Sequence, residues 1–368
     1  MSDREHLGII HPAMAGPQLE LASVRLYGPD GHPVATSFER DYEQWIVHSV
    51  PLGVPNRKRV PIGGRGVPRL CRVCLKTEAD GQTFRKAAHI IPQGLGNREL
   101  VSTQECDTCN SWGGEQLEDD LLKLLSPMRA LLPIPTRKGG AKHKVVQSAT
   151  ASSLQSKPAE DPPIRMEVNT SDDSITTEAD PESNTLRVVA KVQPFSLMDV
   201  AKALGRMAFL ALPDAYLRDY EPVRRWIRGD DSYKPVLTEV RIPGTGLNVV
   251  RLVVYRRRNA VLGQAPLIVA LGFGLSVYFC YLPGSTFSQP SDTPLPVFGL
   301  SPFPPHVPTY QKMVILADVM EPEGTFTFTL RYQEVRRIAD SVDANTTDLP
   351  DALKRLLAAT EEVPAEVK

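Results

Sequence analysis

Cysteine is scarce, with five residues in 368, too few for the disulfide framework of a small secreted scaffold. Charge imbalance is missing as well. Forty-two Lys and Arg against 43 Asp and Glu leave a formal net charge of -1. That excludes a uniformly basic nucleic-acid binder and leaves room for a local basic patch. No basic, apolar and small-residue leader is found at the start, because charge and proline interrupt "MSDREHLGIIHPAMAGPQLE"; a cytoplasmic protein is expected. Long apolar runs are few. The longest, "APLIVALGFGLSVYFCYLPG" at 265–284, contains Gly272 and Gly274, is rich in β-branched residues and has turn-forming flanks. It predicts two buried strands in a hairpin and no membrane span.

What is present is an ordinary globular composition, 42% hydrophobic and 23% charged, so a buried core is expected. Thirty-three prolines predict many loops and strand edges. Residues 1–60 read as a β-rich region, with turn chemistry at Pro29-Asp30-Gly31 between extended runs. Residues 61–135 hold a cysteine-rich module, then a helix with Leu117, Leu121, Leu124 and Leu125 on one face and Pro127 near its end. Residues 136–185 turn basic and then acidic and polar, and are expected to be a linker or mobile insertion that can include short strands. A C-terminal α+β domain spans 186–345. It starts with a helix capped by Ser196 with Asp199 in its first turn. A shorter helix at "YEPVRRWIRG" follows, then strands near 236–242, 248–256, 266–273, 276–282, 312–318 and 325–332. Residues 346–368 are expected to be a helix and tail. The fold class is therefore α+β, built on antiparallel strands. No internal repeat is seen, and the second domain shows no nucleotide-binding glycine loop and no nuclease carboxylate cluster.

Four of the cysteines form two C-x2-C pairs, Cys71 with Cys74 and Cys106 with Cys109. Each pair makes a tight knuckle aiming two thiolates at one point, and two knuckles complete a tetrahedron. In a reducing compartment this predicts a structural zinc with no open coordination position. Cys280, amid "SVYFCYL", is expected to be an inert core residue.

Between the knuckles stands "AHIIPQGLG", and "CNSWGGEQLEDDL" starts at the last cysteine. The pattern His89-Ile90-Ile91-Pro92, the Gly94-Leu95-Gly96 turn, the cysteine pairs and Asn110 resemble the HNH endonucleases of the ββα-metal (His-Me finger) superfamily. The likeness spans roughly residues 70 to 125 and implies a zinc-stapled finger of two strands and a crossing helix. It implies His89 as general base and Asn110 as ligand of a catalytic magnesium or manganese ion. Many HNH proteins carry an aspartate just before the histidine, where this chain has Ala88. Asn110 is therefore expected to act alone, or with a carboxylate such as Glu118, Asp107 or Glu115. Asn97 is the nearest candidate for the middle residue of the family pattern.

Each of these residues has a plainer reading. A histidine beside Ile-Ile-Pro can be a packed core residue, asparagine favours helix caps, and Glu118 can be a solvated helix residue. Arg57, Lys58, Arg59, Arg65, Arg69, Arg72 and Lys76 stand in a stretch without acids from 44 to 77. Together with Arg85, Lys86 and Arg98 they are candidates for contacts with a phosphate backbone, or else form a solvated face. "YRRRN" at 255–259 is either a second patch or an exposed strand end. The resemblance implies DNA as substrate, with RNA open, and bacterial or phage-associated nucleases, including defence effectors, as company. The C-terminal domain is expected to target or regulate, through DNA, a homodimer contact, a regulatory partner or a small signal. The alternatives are a catalytically silent zinc module that binds nucleic acid or a partner, and a purely structural finger.

Overall fold

A computed structural model describes residues 7–8, 26–27, 33–34, 41–52, 58–64, 66, 68–132, 134–136, 139–140, 142–147, 150–158, 164–169, 173–180, 182, 185–230, 233, 235–241, 247–260, 265–274, 276–284, 310–315, 320–321, 325–331 and 336–337. The chain is mixed α+β, with a small cysteine-bearing finger set beside antiparallel sheets. Most of 1–40 and the helix expected within 346–368 lie outside the described residues. Among the described residues, no helix is long and apolar enough to cross a membrane.

The finger is built on three short strands. Leu100–Ser102 lies in the middle, parallel to Val60–Ile62 and antiparallel to Ala88–His89. Between the second and third strands in sequence, Gln93–Leu95 makes a 3-10 turn closed by Gly96 at φ +95°. A side chain is strained at that backbone angle, and a Cβ there would also stand 2.8 Å from Leu52. A helix then runs Asp107–Gly113, widens into one π turn at Gly114–Glu118, and continues as Asp119–Leu124. Leu117, Leu121 and Leu125 are buried as expected, and Leu124 is partly so. Helical structure resumes at Ser126–Leu131 with Pro127 in its first turn, a position that tolerates the missing N–H.

The largest sheet has six antiparallel strands in the spatial order Tyr310–Ile315, Val236–Arg241, Ser276–Leu282, Leu267–Gly274, Leu247–Arg257 and Tyr42–Pro51. The apolar run at 265–284 is the expected hairpin, buried along both strands. Leu197–Ala211 packs against this sheet and is apolar nearly all round, the pattern of a helix enclosed by protein. Its start is as predicted, with Ser196 Oγ accepting from the Asp199 N–H at 3.2 Å. Glu221–Ile227 forms the shorter helix. Trp226 packs where Gly205 leaves room, for a Cβ there would lie 2.7 Å from the indole.

Two placements differ from expectation. Tyr42–Pro51 does not stand with a separate N-terminal region; it is an edge strand of the six-stranded sheet, paired along Leu247–Arg257. The stretch read as linker or insertion carries the strands Lys142–Gln147, Thr150–Pro158, Ile164–Asn169 and Ile175–Asp180. The first three join Leu7–Gly8 and Arg336–Arg337 in a five-stranded antiparallel sheet. Acidic and small residues dominate that stretch, yet "IRMEVN" alternates apolar with polar, and period two is what a half-buried strand needs.

Candidate active site and zinc centre

Cys71, Cys74, Cys106 and Cys109 converge, with all four sulfurs within 4.8 Å of one another. Zinc–sulfur bonds of about 2.3 Å in a tetrahedron require sulfurs about 3.8 Å apart, and Cys74 and Cys106 stand 3.8 Å apart. Backbone geometry supports the cage. Cys106 N–H donates to Cys71 Sγ and Cys109 N–H to Cys106 Sγ, both at 3.4 Å. Leu75, just past the first knuckle, adopts φ +59°, a turn a non-glycine residue takes only where the surroundings impose it. A hydrogen bond from Cys109 first, with backbone donors, holds the Cys71 thiol at about 4, whereas burial pushes Cys106 up to about 11. A bound dication would hold the four cysteines as thiolates, the form in which they ligate zinc. The donor set fits structural zinc. Cys280 is fully buried with its thiol pushed up by desolvation, the inert core residue expected.

Cys106 also caps the helix that follows it. Asn110 therefore sits inside the helix, its N–H bonded to Cys106 O at 2.9 Å, and the capping reading of Asn110 does not apply. Asn110 is half-buried, and its side chain makes no hydrogen bond among the described residues. Asp107 ties this helix to the loop before His89. Its carboxylate accepts from Thr83 Oγ1 at 2.6 Å, from Lys86 N–H at 2.8 Å and from Arg85 N–H at 2.9 Å. Desolvation opposes that charge, but the hydrogen bonds outweigh it and hold the carboxyl below its usual range. Asp107 is therefore occupied in holding the loop.

His89 is half-buried on the strand, paired with Val101. Burial first, then the charges of Arg59 and Arg98, push its pKa below the ordinary histidine value; a hydrogen bond with the backbone of Ala87 works the other way. The shift favours the neutral ring, the state a base requires. Ala88 has no exposed surface and pairs with Ser102, on the opposite face of the strand from His89. A carboxylate at 88 would be buried there and not beside the histidine.

A cleft of about 360 Å³ opens on the finger. It is lined by Ala87, Val101, Ser102 and Thr103, so it adjoins the strand pair that carries His89, but neither His89 nor Asn110 is among its lining residues. Four cations surround it: Arg59, Arg69, Arg85 and Lys86. Lys58, Arg59, Arg69, Arg85 and Lys86 are exposed, and Arg98 is half-buried. Arg69 lies over the Phe84 ring at 5.8 Å and pairs with Glu78, while Lys86 Nζ reaches Ser111 Oγ at 2.9 Å, next to Asn110. Arg57 and Arg65 lie outside the described residues.

Arg72 must be reassigned. Its side chain is 1% exposed and donates to the Leu210 and Leu212 carbonyls at 2.9 and 2.6 Å, to Gln104 at 2.6 Å and to Asp214. The knuckle turns it inward to dock the finger on the end of the long helix, where no nucleic acid can reach it. Glu118 is likewise taken up. Its carboxylate pairs with Arg206, so it faces the protein interior and not a catalytic ion. Glu115 is exposed on the π turn. The arginines at 256–258 are matched by Glu43, Asp41 and the Tyr42 hydroxyl, which identifies "YRRRN" as a paired strand end.

Asn97 is fully buried and uses every polar position it has. Its amide donates to the Ile91 and Leu100 carbonyls at 2.7 and 2.9 Å and accepts from the Glu99 and Leu100 N–H groups at 3.1 and 2.8 Å. It clips the turn after His89 to the central strand. Asn97→Ala leaves buried backbone groups unsatisfied, at about 1–3 kcal/mol each. A fall in melting temperature with zinc still bound is expected from calorimetry and metal analysis; an unchanged melting curve contradicts this role. Sequence reasoning missed Arg206 and Glu105 altogether. The available signal was a lone arginine inside the apolar helix "AKALGRMAFLAL", since a charge on such a face needs a partner.

A zinc-ready four-cysteine finger, with a histidine on a short strand and an asparagine on the crossing helix, defines a ββα metal-finger module. Residues 71–126 match the HNH endonuclease family. No curated protein and no solved structure matches the chain.

Proposed function

We propose that the protein is a metal-dependent endonuclease that hydrolyses DNA phosphodiester bonds, with His89 as general base and Asn110 as ligand of the catalytic ion. The observation that carries this reading is the cleft beside the finger strands, ringed by Arg59, Arg69, Arg85 and Lys86. Cations so arranged hold a phosphate backbone without reading its sequence. The half-buried imidazole, its neutral form favoured by burial, takes a proton from the attacking water as that water closes on phosphorus. An amide oxygen suits a hard ion such as magnesium or manganese, which when bound would offset charge on the phosphate and leaving oxygen. The closed four-thiolate cage leaves zinc a structural role. A second reading, a silent zinc module that binds nucleic acid, draws on the same cation-lined cleft, since cations that hold a phosphate backbone do not by themselves require cleavage.

Plasmid DNA and RNA offered with magnesium or manganese at low salt, over a pH series, distinguish the two. Because the His89 pKa is depressed, the base form is lost only as pH falls below the ordinary histidine value of about 6.5. The cleavage rate should climb through an inflection under that value and level off by neutral pH. Binding without cleavage under every condition would support the silent module, and an inflection well above 7 would point to a different base.

A further inference from the structure

We propose that Arg206 is a positioning residue, a strap from the C-terminal region that sets the helix carrying Asn110; this deepens the nuclease reading and rests on it. Arg206 is 1% exposed and divides its guanidinium between two carboxylates. Its Nε and one terminal nitrogen grip both oxygens of Glu105 at 2.9 and 2.6 Å, and the other terminal nitrogen holds Glu118. Glu105 directly precedes Cys106, the zinc-cage cysteine that also caps the helix. Glu118 closes the π turn beyond Asn110. One side chain therefore holds the helical segment on both sides of the candidate ligand.

The guanidinium also passes directly over the helix. A Cβ at Gly113 would lie 2.7 Å from Arg206 Nε, and Gly113 stands one turn from Asn110. The support itself is firm, since Arg206 projects from the enclosed helix Leu197–Ala211 that Trp226 packs against at Gly205. The π turn adds a residue to the local repeat and so shifts which side chains face the strap. A buried ion pair is weak evidence for stability, whereas a planar fork shared between two ends of one segment fixes its rotation and register. Misplacement of a reacting group by about 1 Å can cost on the order of 10² in rate.

The test uses full-length zinc-loaded protein as wild type, Arg206→Lys, Glu118→Gln, Asn110→Ala and the Asn110→Ala/Glu118→Gln double variant. Plasmid cleavage gives kcat and KM, manganese titration gives the half-saturation point, and hydrogen exchange follows the amides of 107–113. Lysine keeps the charge and loses the fork, and glutamine keeps an acceptor, so both are chosen to retain fold and zinc. Arg206→Lys and Glu118→Gln should lower kcat about tenfold or more, leave KM near wild type, raise the manganese requirement and speed exchange across 107–113. Glu118→Gln should add nothing once Asn110 is alanine. Wild-type kcat in both single variants, or an equal further loss in the Asn110→Ala background, overturns the strap. If wild type cleaves no substrate, the nuclease reading has failed by itself. Exchange then still decides, because faster exchange in Arg206→Lys upholds the ordering of the helix and unchanged exchange refutes it.

Discussion

His89→Ala should abolish divalent-dependent cleavage while the protein keeps its zinc and its melting temperature. The ring is half-buried, and its strand is held through backbone pairing with Leu100–Ser102 and, through it, Val60–Ile62, none of which an alanine disturbs. The thiolates lie elsewhere and remain intact. What is removed is the candidate base on a strand that adjoins a cation-lined cleft, and loss of a general base alone is worth on the order of 10² to 10⁴ in rate. Initial rates of plasmid nicking, paired with zinc analysis of the same samples, measure both halves. Equal residual activity in wild type and variant on DNA and RNA would make His89 a packed core residue and end the nuclease reading. A parallel fall in zinc content would show instead that the variant had damaged the fold.

Cys106→Ser should do the reverse, removing zinc and loosening the whole finger. Serine is a good N-cap, so the start of the Asp107–Gly113 helix can survive the change. It is a poor match for a zinc site built of thiolates. Structural zinc in small fingers binds with about 10–16 kcal/mol, and this binding energy is folding energy. Losing one of four ligands should therefore yield protein with less than one zinc per chain and a markedly lower melting temperature. The damage should spread, because Arg72 of the finger donates to the Leu210 and Leu212 carbonyls, and Arg224 of the Glu221–Ile227 helix donates back to the Val73 carbonyl in the first knuckle. Mass spectrometry under native conditions counts the zinc, and calorimetry reads the transition. Full zinc occupancy in the serine variant would exclude Cys106 from the cage.

Much of this was legible because it is written in short-range chemistry. Two C-x2-C pairs announce their cage whatever the surrounding fold. Ser196 with Asp199 marks the start of its helix, and the flanking turns and glycines divide 265–284 into two strands. The remainder depends on partners distant in sequence. Arg72 reads as one cation in a basic run until the knuckle turns it toward Leu210 and Asp214. Glu118 reads as a solvated helix residue until Arg206, 88 positions away, is found beside it. The parallel pairing of Val60–Ile62 with Leu100–Ser102 joins segments with no shared local signal. The strand at Ile164–Asn169 was hidden for another reason: charged and polar neighbours masked a period-two pattern that needs only one buried face.

The pairing of Tyr42–Pro51 with Leu247–Arg257 imposes an order on synthesis. The edge strand leaves the ribosome first and must wait for a partner roughly 200 residues later, about 10 to 40 seconds at bacterial or eukaryotic elongation rates. All four cysteines emerge within that interval, so the zinc cage can close while the sheet is still missing its neighbour. The helix bearing Arg206 arrives later than the cage but before the sheet is complete. A nascent chain thus passes through a stage in which the finger has nothing to dock on, and it stays unanchored until translation is well past its midpoint.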